Sequence, residues 1–441
     1  MEVQKFGGTS VGTPERMHKV ARLISADQKA KIVVLSAVAG TTNALVEISM
    51  MHKSSSNVSN HLYQLRDQYF KFIAELHSSE EALQKSKLVI EEVLETIESV
   101  CNEKFSISSE KIIVAQGELI STQLFNNYLE EIGITSVLLP ALNFMCIDEH
   151  EEPVIPEIKI KIEKEIAARR ESSIYVTQGF ICRNTSGEID NLKRGGSDYT
   201  ASLIGAAINA EEVQIWTDID GMHNNDPRCV SNTFPIGELS FDEAAELAYF
   251  GAKILHPLSI LPAKKHNIAV RLKSTMDELA PGTLITQRLT DKGIQAIAAK
   301  DGIVAIKIKS ARMLLAHGFL RKIFEVFEVH KTSIDMITTS EVAVSLTIDN
   351  DLYLSEIVAE LELLGTVEVE KNQTIICVVG NLVAEKTGII KDVFNSLSAI
   401  PIRMISYGGS RHNISILVNS EYKIQALRDL NKGIFENKEL N

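Results

Sequence analysis

Short apolar strands run directly into glycine-rich or small polar turns at several places in this chain, and that recurrence constrains its fold more than any other feature. Met1-Glu2-Val3-Gln4-Lys5-Phe6 opens into Gly7-Gly8-Thr9-Ser10-Val11-Gly12. Lys31 to Leu35 leads into Ser36-Ala37-Val38-Ala39-Gly40-Thr41-Thr42-Asn43, and Ile174-Tyr175-Val176 leads to Gly179-Phe180. Val213 to Trp216 ends in Thr217-Asp218-Ile219-Asp220-Gly221. In an open α/β sheet such clusters meet at the carboxyl ends of the strands, where ligands bind. Two adjacent glycines let backbone N–H groups converge on an anion, Thr9 and Ser10 add hydroxyl donors, and the Lys5 ammonium is within reach. A surface lysine before an ordinary turn is the plain alternative for that stretch alone.

The segments between these clusters are helical. Residues from about 44 to 105 carry helical spacing, broken at Ser54-Ser55-Ser56-Asn57, and read as two or more surface helices. Ile112 to Phe125 reads as another helix, in which Gly117 costs about 1 kcal/mol against alanine and Glu118 is either a solvated face residue or a ligand. Asn184 to Gly187 is a turn. Leu192-Lys193-Arg194-Gly195-Gly196-Ser197-Asp198-Tyr199-Thr200 then opens a helix over Ala201 to Ala210. A helix start of this kind presents free N–H groups and a positive dipole end, and Arg194 adds a bidentate fork for carboxylate or phosphate. An ordinary N-cap by Ser197 or Asp198 is equally compatible. Thr217 and Asp218 suit a magnesium ion, a nucleoside or simple turn chemistry. Ser240-Phe241-Asp242-Glu243 matches a capping box whose helix should stop near Gly251. Neither a GxxxxGK[ST] loop nor a GxGxxG fingerprint is present.

A length of 441 residues suggests roughly two to four domains. The formal charge of −13 argues against nucleic acid or an anionic membrane as partner. No apolar run approaches a membrane span, and the N-terminus does not resemble a signal peptide. The five cysteines are odd in number and far apart, which suits reduced thiols and a cytoplasmic location.

Five stretches together carry a family resemblance: Lys5-Phe6-Gly7-Gly8-Thr9-Ser10, Arg194-Gly195-Gly196-Ser197-Asp198, Trp216-Thr217-Asp218-Ile219-Asp220-Gly221, Asp226-Pro227-Arg228 and Phe250-Gly251-Ala252-Lys253-Ile254-Leu255-His256-Pro257. In this order they resemble aspartate kinase, most closely its monofunctional, lysine-sensitive branch, with no fused homoserine dehydrogenase expected. The resemblance implies the amino-acid kinase fold, an α/β arrangement with a mainly parallel sheet sandwiched by helices, over residues 1–290. It implies transfer of the γ-phosphoryl group of ATP to the β-carboxylate of L-aspartate, the first step toward lysine, threonine and methionine.

By the same resemblance, Lys5, Asp198 and Arg194 are the catalytic residues. Thr42, Glu118, Arg194, Gly195 and Ser197 would hold aspartate, Glu118 facing its ammonium group. Lys5, Phe6, Gly7, Gly8, Thr217, Asp218, His223, Arg228, Lys253 and Ile254 would hold ATP, with Mg²⁺ bridging its β- and γ-phosphates; no protein metal ligand is assigned. Lys193 and His223 stand where the family often has glycine and tyrosine, which touches only the details of the nucleotide pocket.

Pro281-Gly282-Thr283 closes the kinase part, and residues 291–441 contain an internal repeat. Gly318-Phe319-Leu320 with Ile323, Phe324 and Phe327 reappears as Gly388-Ile389-Ile390 with Val393, Phe394 and Leu397. Each helix precedes a strand holding Met-Ile, at 336–337 and 404–405, and then an alternating strand. These units resemble tandem ferredoxin-like ACT domains, about 310–372 and about 373–441, the second completed by a strand from about 294–309. The resemblance implies a lysine effector site from Met313, Gly318, Phe319, Leu320, Ser333, Asp335, Thr339, Ser340 and Glu341, and a homodimer or tetramer formed through the ACT domains. An ACT pair that merely dimerises, a catalytically silent amino-acid sensor, and a kinase of the same fold with another substrate are the alternatives.

Overall fold

A computed structural model describes residues 1–169, 172–192, 195–251, 255–289, 293–310, 317–381 and 385–436. It forms two units, one of Met1–Met222, Gly237–Phe241 and Ile254–Arg288, the other of His223–Ile236, Asp242–Lys253 and Leu289–Asn441.

The strands of the first unit are β1 (Glu2–Phe6), β2 (Lys31–Leu35), β3 (Ser136–Leu139), β4 (Ile174–Gln178), β5 (Ile181–Arg183), β6 (Ile189–Asn191), β7 (Glu212–Thr217), β8 (Glu238–Ser240), β9 (Ala269–Ser274) and β10 (Thr283–Thr286). Eight of them make one sheet in the order β3-β4-β2-β1-β7-β9-β10-β8, while β5 and β6 form a separate hairpin. Pairing is parallel from β3 through β9, and only β9 with β10 runs antiparallel in this sheet. Strands covered on both faces carry continuous apolar runs rather than alternation, and every residue of β2 and β4 is buried.

Three helices occupy residues 41–101, in keeping with the two or more expected there: Thr41–Lys53, Ser59–Leu76 and Glu80–Cys101. Each is amphipathic, with one exposed face and one buried stripe, as surface helices of a packed domain are. Their apolar stripes, including Leu45, Ile48, Tyr69, Ile73, Ile90, Leu94 and Ile97, join one cluster with Phe6, Leu35 and Trp216 of the sheet. The helix expected over 112–125 extends from Ile107 to Glu131, because Ser106 and Ser109 cap its start reciprocally. The helix following Gly195 starts at Gly196 and ends at Ile208, where Asn209 turns left-handed with φ of +51°.

Register sets where the polar clusters emerge. Phe6 pairs with both Leu35 and Trp216, and Leu35 pairs with Gln178, so β1, β2, β4 and β7 end nearly level. The turns that follow all four strands therefore open on the same sheet edge.

The second unit holds β11 (Ile294–Lys309), β12 (Ile337–Thr339), β13 (Ala343–Ile348), β14 (Thr366–Gly380), β15 (Ile402–Tyr407) and β16 (Asn413–Asn419). These pair antiparallel in the order β12-β13-β11-β14-β16-β15. The sequence repeat is visible in the backbone, since Gly318 and Gly388 both precede their helices with φ near +80° and +87°. Two cores result. One gathers Val304, Ile306 and Ile308 with Phe319 and Ile323; the other gathers Ile294 and Ile297 with Ile376, Val393 and Ile416. The strand at 294–309, expected to complete only the second half, thus serves both, changing cores across the pairing irregularity between Lys300 and Ile303.

Two segments that lie before residue 290 also pack with this unit. Val230 belongs to the second core, Asn224 accepts a backbone bond from Ile297 N–H at 2.8 Å, and Tyr249 reaches Asp335.

Candidate active site

The turn after β1 is closed by its own backbone, with the N–H groups of Ser10 and Val11 both donating to Gly7 O at 2.9 and 3.2 Å. Lys5 points out of β1 beside this turn, and its Nζ lies 2.5 Å from Asp198 Oδ1, the two side chains being 12% and 15% exposed. Asp198 sits in the first turn of the helix Gly196–Ile208, where a carboxylate is favoured by the helix dipole. The sequence placed both residues at the phosphate end of the site, and the fold brings them together.

Beside this pair lies a cavity of about 390 Å³ whose walls include Gly8, Thr42, Glu118, Phe180, Gly196 and Ser197. Ser36, at the end of β2, donates to Ser197 Oγ at 2.9 Å and is itself held by Ser121, which donates to Ser36 O at 2.9 Å. Gly179 is required for this approach, because a Cβ there would stand 2.2 Å from Ser197 Oγ.

Glu118 is 4% exposed, so it is not a solvated face residue. Its Oε1 accepts from Ala37 N–H at 3.3 Å, while Oε2 is buried with no hydrogen-bond partner. Burial pushes the carboxyl up to about 7, against the smaller opposing effect of the Ala37 N–H. A buried carboxylate with one free oxygen on a cavity wall is suited to a cationic group. Phe180 was not singled out as a site residue. Its backbone is left-handed, φ of +65°, and is pinned by Thr200 Oγ1 accepting from its N–H at 2.8 Å and by Leu192 N–H donating to its carbonyl at 2.7 Å. Nothing in a one-residue sequence context signals that conformation.

On the other side of β1, Phe6 stacks on Trp216 with ring centroids 5.6 Å apart, and Lys273 Nζ lies 4.6 Å from the Trp216 ring centroid. Thr275 fixes the end of β7, donating to Thr217 O through its N–H and its hydroxyl at 2.7 and 2.8 Å. Thr217 Oγ1 in turn donates to Asp218 Oδ1 at 3.1 Å. His223 and Arg228 belong to the second unit. There His223 Nδ1 is 3.0 Å from Thr233 Oγ1, and Asp226 grips the Arg228 guanidinium through both carboxylate oxygens at 2.9 and 2.8 Å. Lys193, Arg194, Lys253, Ile254 and Met313 lie outside the described residues. Among the described residues no three acidic, histidine or cysteine side chains gather as a metal-binding group, and no helix is long and apolar enough to cross a membrane.

The residues expected to hold an effector are only partly gathered. Thr339 and Ser340 line an open cavity of about 640 Å³ with Lys307 and Lys309. Gly318 opens its helix and Phe319 is buried in the first core, whereas Leu320, Ser333 and Glu341 are exposed. The Asp335 side chain is fully buried. Its Oδ1 takes Lys300 Nζ at 2.8 Å and Tyr249 OH at 2.7 Å, while its Oδ2 has no hydrogen-bond partner. Lys300 also reaches Asp349 at 2.9 Å and lies 4.3 Å from the Tyr249 ring centroid. Burial pulls the Lys300 ammonium down, and its bonds to Asp335 and Asp349 more than offset that, leaving it raised.

With this geometry in view, residues 1–274 match the amino acid kinase family and residues 376–433 match the ACT domain. The chain therefore belongs to the amino acid kinase family, as its parallel sheet and strand-end site indicate. Lysine-sensitive aspartokinase 3 of Escherichia coli is 34% identical over 446 residues, spanning 98% of this chain and 99% of its own. The crystal structure of E. coli aspartokinase III with aspartate and ADP, called the R-state, matches at a TM-score of 0.84 and 34% identity, covering 99% of this chain and 100% of that one. The same enzyme with lysine and aspartate, called the T-state, matches at 0.85 and 34% identity, covering 99% of each chain. The chain's place within the family is among the aspartokinases.

Proposed function

We propose that this chain transfers the γ-phosphoryl group of ATP to the β-carboxylate of L-aspartate, giving 4-phospho-L-aspartate, at the cavity walled by Gly8, Glu118 and Ser197. The observation that carries the reading is an anchored ammonium at a Gly-Gly turn together with a small cavity, walled by Gly8 of that turn, that has a buried, half-unpartnered carboxylate on its wall. The ends of a phosphate donor and of an amino-acid acceptor require those two charges.

The nucleophile needs no general base, because a carboxylate is already ionised at neutral pH. Its difficulty is repulsion from the phosphates, about 4 kcal/mol per charge pair at about 4 Å and a site-like dielectric. Lys5 and the N–H groups around Gly7 and Gly8 offset that charge, and Asp198 keeps the Lys5 ammonium in place. Glu118 takes the substrate ammonium, with Thr42 and Ser197 on the same wall. Arg194, which directly precedes Gly195, is assigned the substrate carboxylate on sequence grounds alone.

Phe6, Thr217, Asp218, His223, Arg228, Lys253 and Ile254 are assigned to the nucleotide on sequence grounds. Mg²⁺ would enter with the nucleotide, with Asp198 beside the phosphate turn as the carboxylate able to help hold it, and would supply neutralisation of phosphate charge.

The ACT half is assigned to feedback inhibition by lysine, with Asp335 Oδ2 facing the effector's ammonium, and to assembly as a dimer or tetramer. The likeness to an E. coli enzyme solved with lysine supports this reading. Purified protein given ATP, Mg²⁺ and L-aspartate should form an acyl phosphate that hydroxylamine traps as the hydroxamate, and L-lysine should suppress it. Hydroxamate indifferent to lysine would remove the effector assignment; no hydroxamate would remove the reaction.

A further inference from the structure

The Asp226-Pro227-Arg228 loop lies within the kinase match at residues 1–274, yet its packing is to the ACT half, whose match at 376–433 includes Asn431. Apolar contacts hold the body of the loop, Val230 in the second core and Phe234 edge-on to Phe435 with centroids 5.8 Å apart. Beneath them lies a buried amide network that apolar packing alone does not need. Asn224, Asn225 and Asn431 are 0%, 2% and 1% exposed. Asn431 Oδ1 accepts from Asn224 Nδ2 and Asn225 Nδ2, each at 3.3 Å. Asn225 also donates to Leu427 O at 3.1 Å, and its Oδ1 accepts from Asp226 N–H at 2.9 Å. Asn431 Nδ2 donates to Glu436 Oε1 at 3.1 Å.

Burying three amides is costly unless each is paired, so such a network specifies one loop register. The hydrogen-bond chain it begins ends at the Arg228 guanidinium. From Asn431 it runs through Asn225 to Asp226, whose carboxylate takes the Arg228 N–H at 2.9 Å and grips the guanidinium of a side chain that is 83% exposed. The fork is thereby held by hydrogen bonds within the second unit.

We propose that Asn431 is a positioning residue for nucleotide binding, setting the Arg228 fork through Asn225 and Asp226. The inference rests on the reading of Arg228 as a nucleotide contact. The test uses the full-length enzyme as Asn431→Leu, Arg228→Ala and the double variant, with KM for ATP and for aspartate measured where circular dichroism shows each folded. Asn431→Leu should raise KM for ATP about tenfold, equivalent to losing one well-placed hydrogen bond, and leave KM for aspartate within about twofold. Asn431→Asp combined with Glu436→Gln, which keeps the acceptor and puts an amide donor where the carboxylate would otherwise face it, should restore most of the ATP affinity. In the Arg228→Ala background Asn431→Leu should add almost nothing, because the two act through one group.

Asn225→Ala cuts the same chain from the loop side and should show the same split, which keeps the test available if Asn431→Leu does not fold. Equal rises in both KM values, or a full additional effect on Arg228→Ala, would overturn the inference and leave Asn431 a structural residue. A raised KM for ATP in Arg228→Ala with Asn431→Leu unchanged would overturn the inference alone. An Arg228→Ala enzyme with unchanged KM for ATP would overturn the nucleotide reading of Arg228, and the inference with it.

Discussion

The Lys5 ammonium stands 2.5 Å from the Asp198 carboxylate, joining the end of the first strand to the first turn of a helix from the far side of the chain. Neither side chain is free to swing, since both are largely enclosed. Asp198→Asn should keep the fold but leave Lys5 untethered. The expected result is a kcat lowered by roughly tenfold to a hundredfold, with KM for aspartate changed less, read in steady-state assays.

Glu118 makes the site pH-sensitive. Its carboxyl is raised to about 7, so in the free enzyme it ionises near neutrality, and binding an ammonium favours the ionised form. kcat/KM for aspartate should therefore fall below pH 7 by up to a factor of ten per unit, and Glu118→Gln should flatten that limb while weakening aspartate binding.

The same residue gives a stability test of opposite sign. A carboxyl whose folded pKa lies above its unfolded value costs stability as pH rises from about 4.5 through about 7. Glu118→Gln should melt higher than the parent above pH 7, and the two curves should converge toward pH 4.5. A constant offset across that range would contradict the burial account.

Gly195 has φ of +73°, and a Cβ there would meet Ser259 Cβ at 2.7 Å. Gly195→Ala should cost about 1–2 kcal/mol from the backbone alone, with the clash added, and should raise KM for aspartate by displacing Ser197. Thermal denaturation and aspartate kinetics check the two halves separately.

Tyr249 OH and Lys300 share Asp335 Oδ1. If Asp335 receives the effector, Tyr249→Phe should still bind lysine by calorimetry but change its inhibition, whereas Asp335→Ala should lose binding. Asp335→Ala with normal lysine affinity would remove Asp335 from the effector site.

Much of this arrangement is legible in the sequence, for a physical reason. In a parallel sheet the residues after each strand share one edge, so Gly7-Gly8, Ser36 to Asn43 and Thr217-Asp218 are assembled by topology without knowledge of packing. Gly318 and Gly388 mark the repeat through spacing alone. What sequence periodicity does not carry is pairing between distant elements. The left-handed Phe180, the Lys300–Asp335 contact and the attachment of residues 223–236 to the ACT half depend on tertiary neighbours. The helix over 107–131 exceeds the 112–125 that its spacing predicts, because its Ser106–Ser109 cap lacks the usual acidic partner that marks a helix start in sequence. The long strand at 294–309 shows one element divided between two cores, which an element-by-element reading assigns to one.

The most direct test of the central claim is hydroxamate formation from ATP and L-aspartate by wild type and Lys5→Ala side by side, with circular dichroism to establish that both are folded. Lys5→Ala should lose roughly a hundredfold or more in turnover. Equal turnover by the two folded proteins would contradict the assignment of this site as the place of phosphoryl transfer.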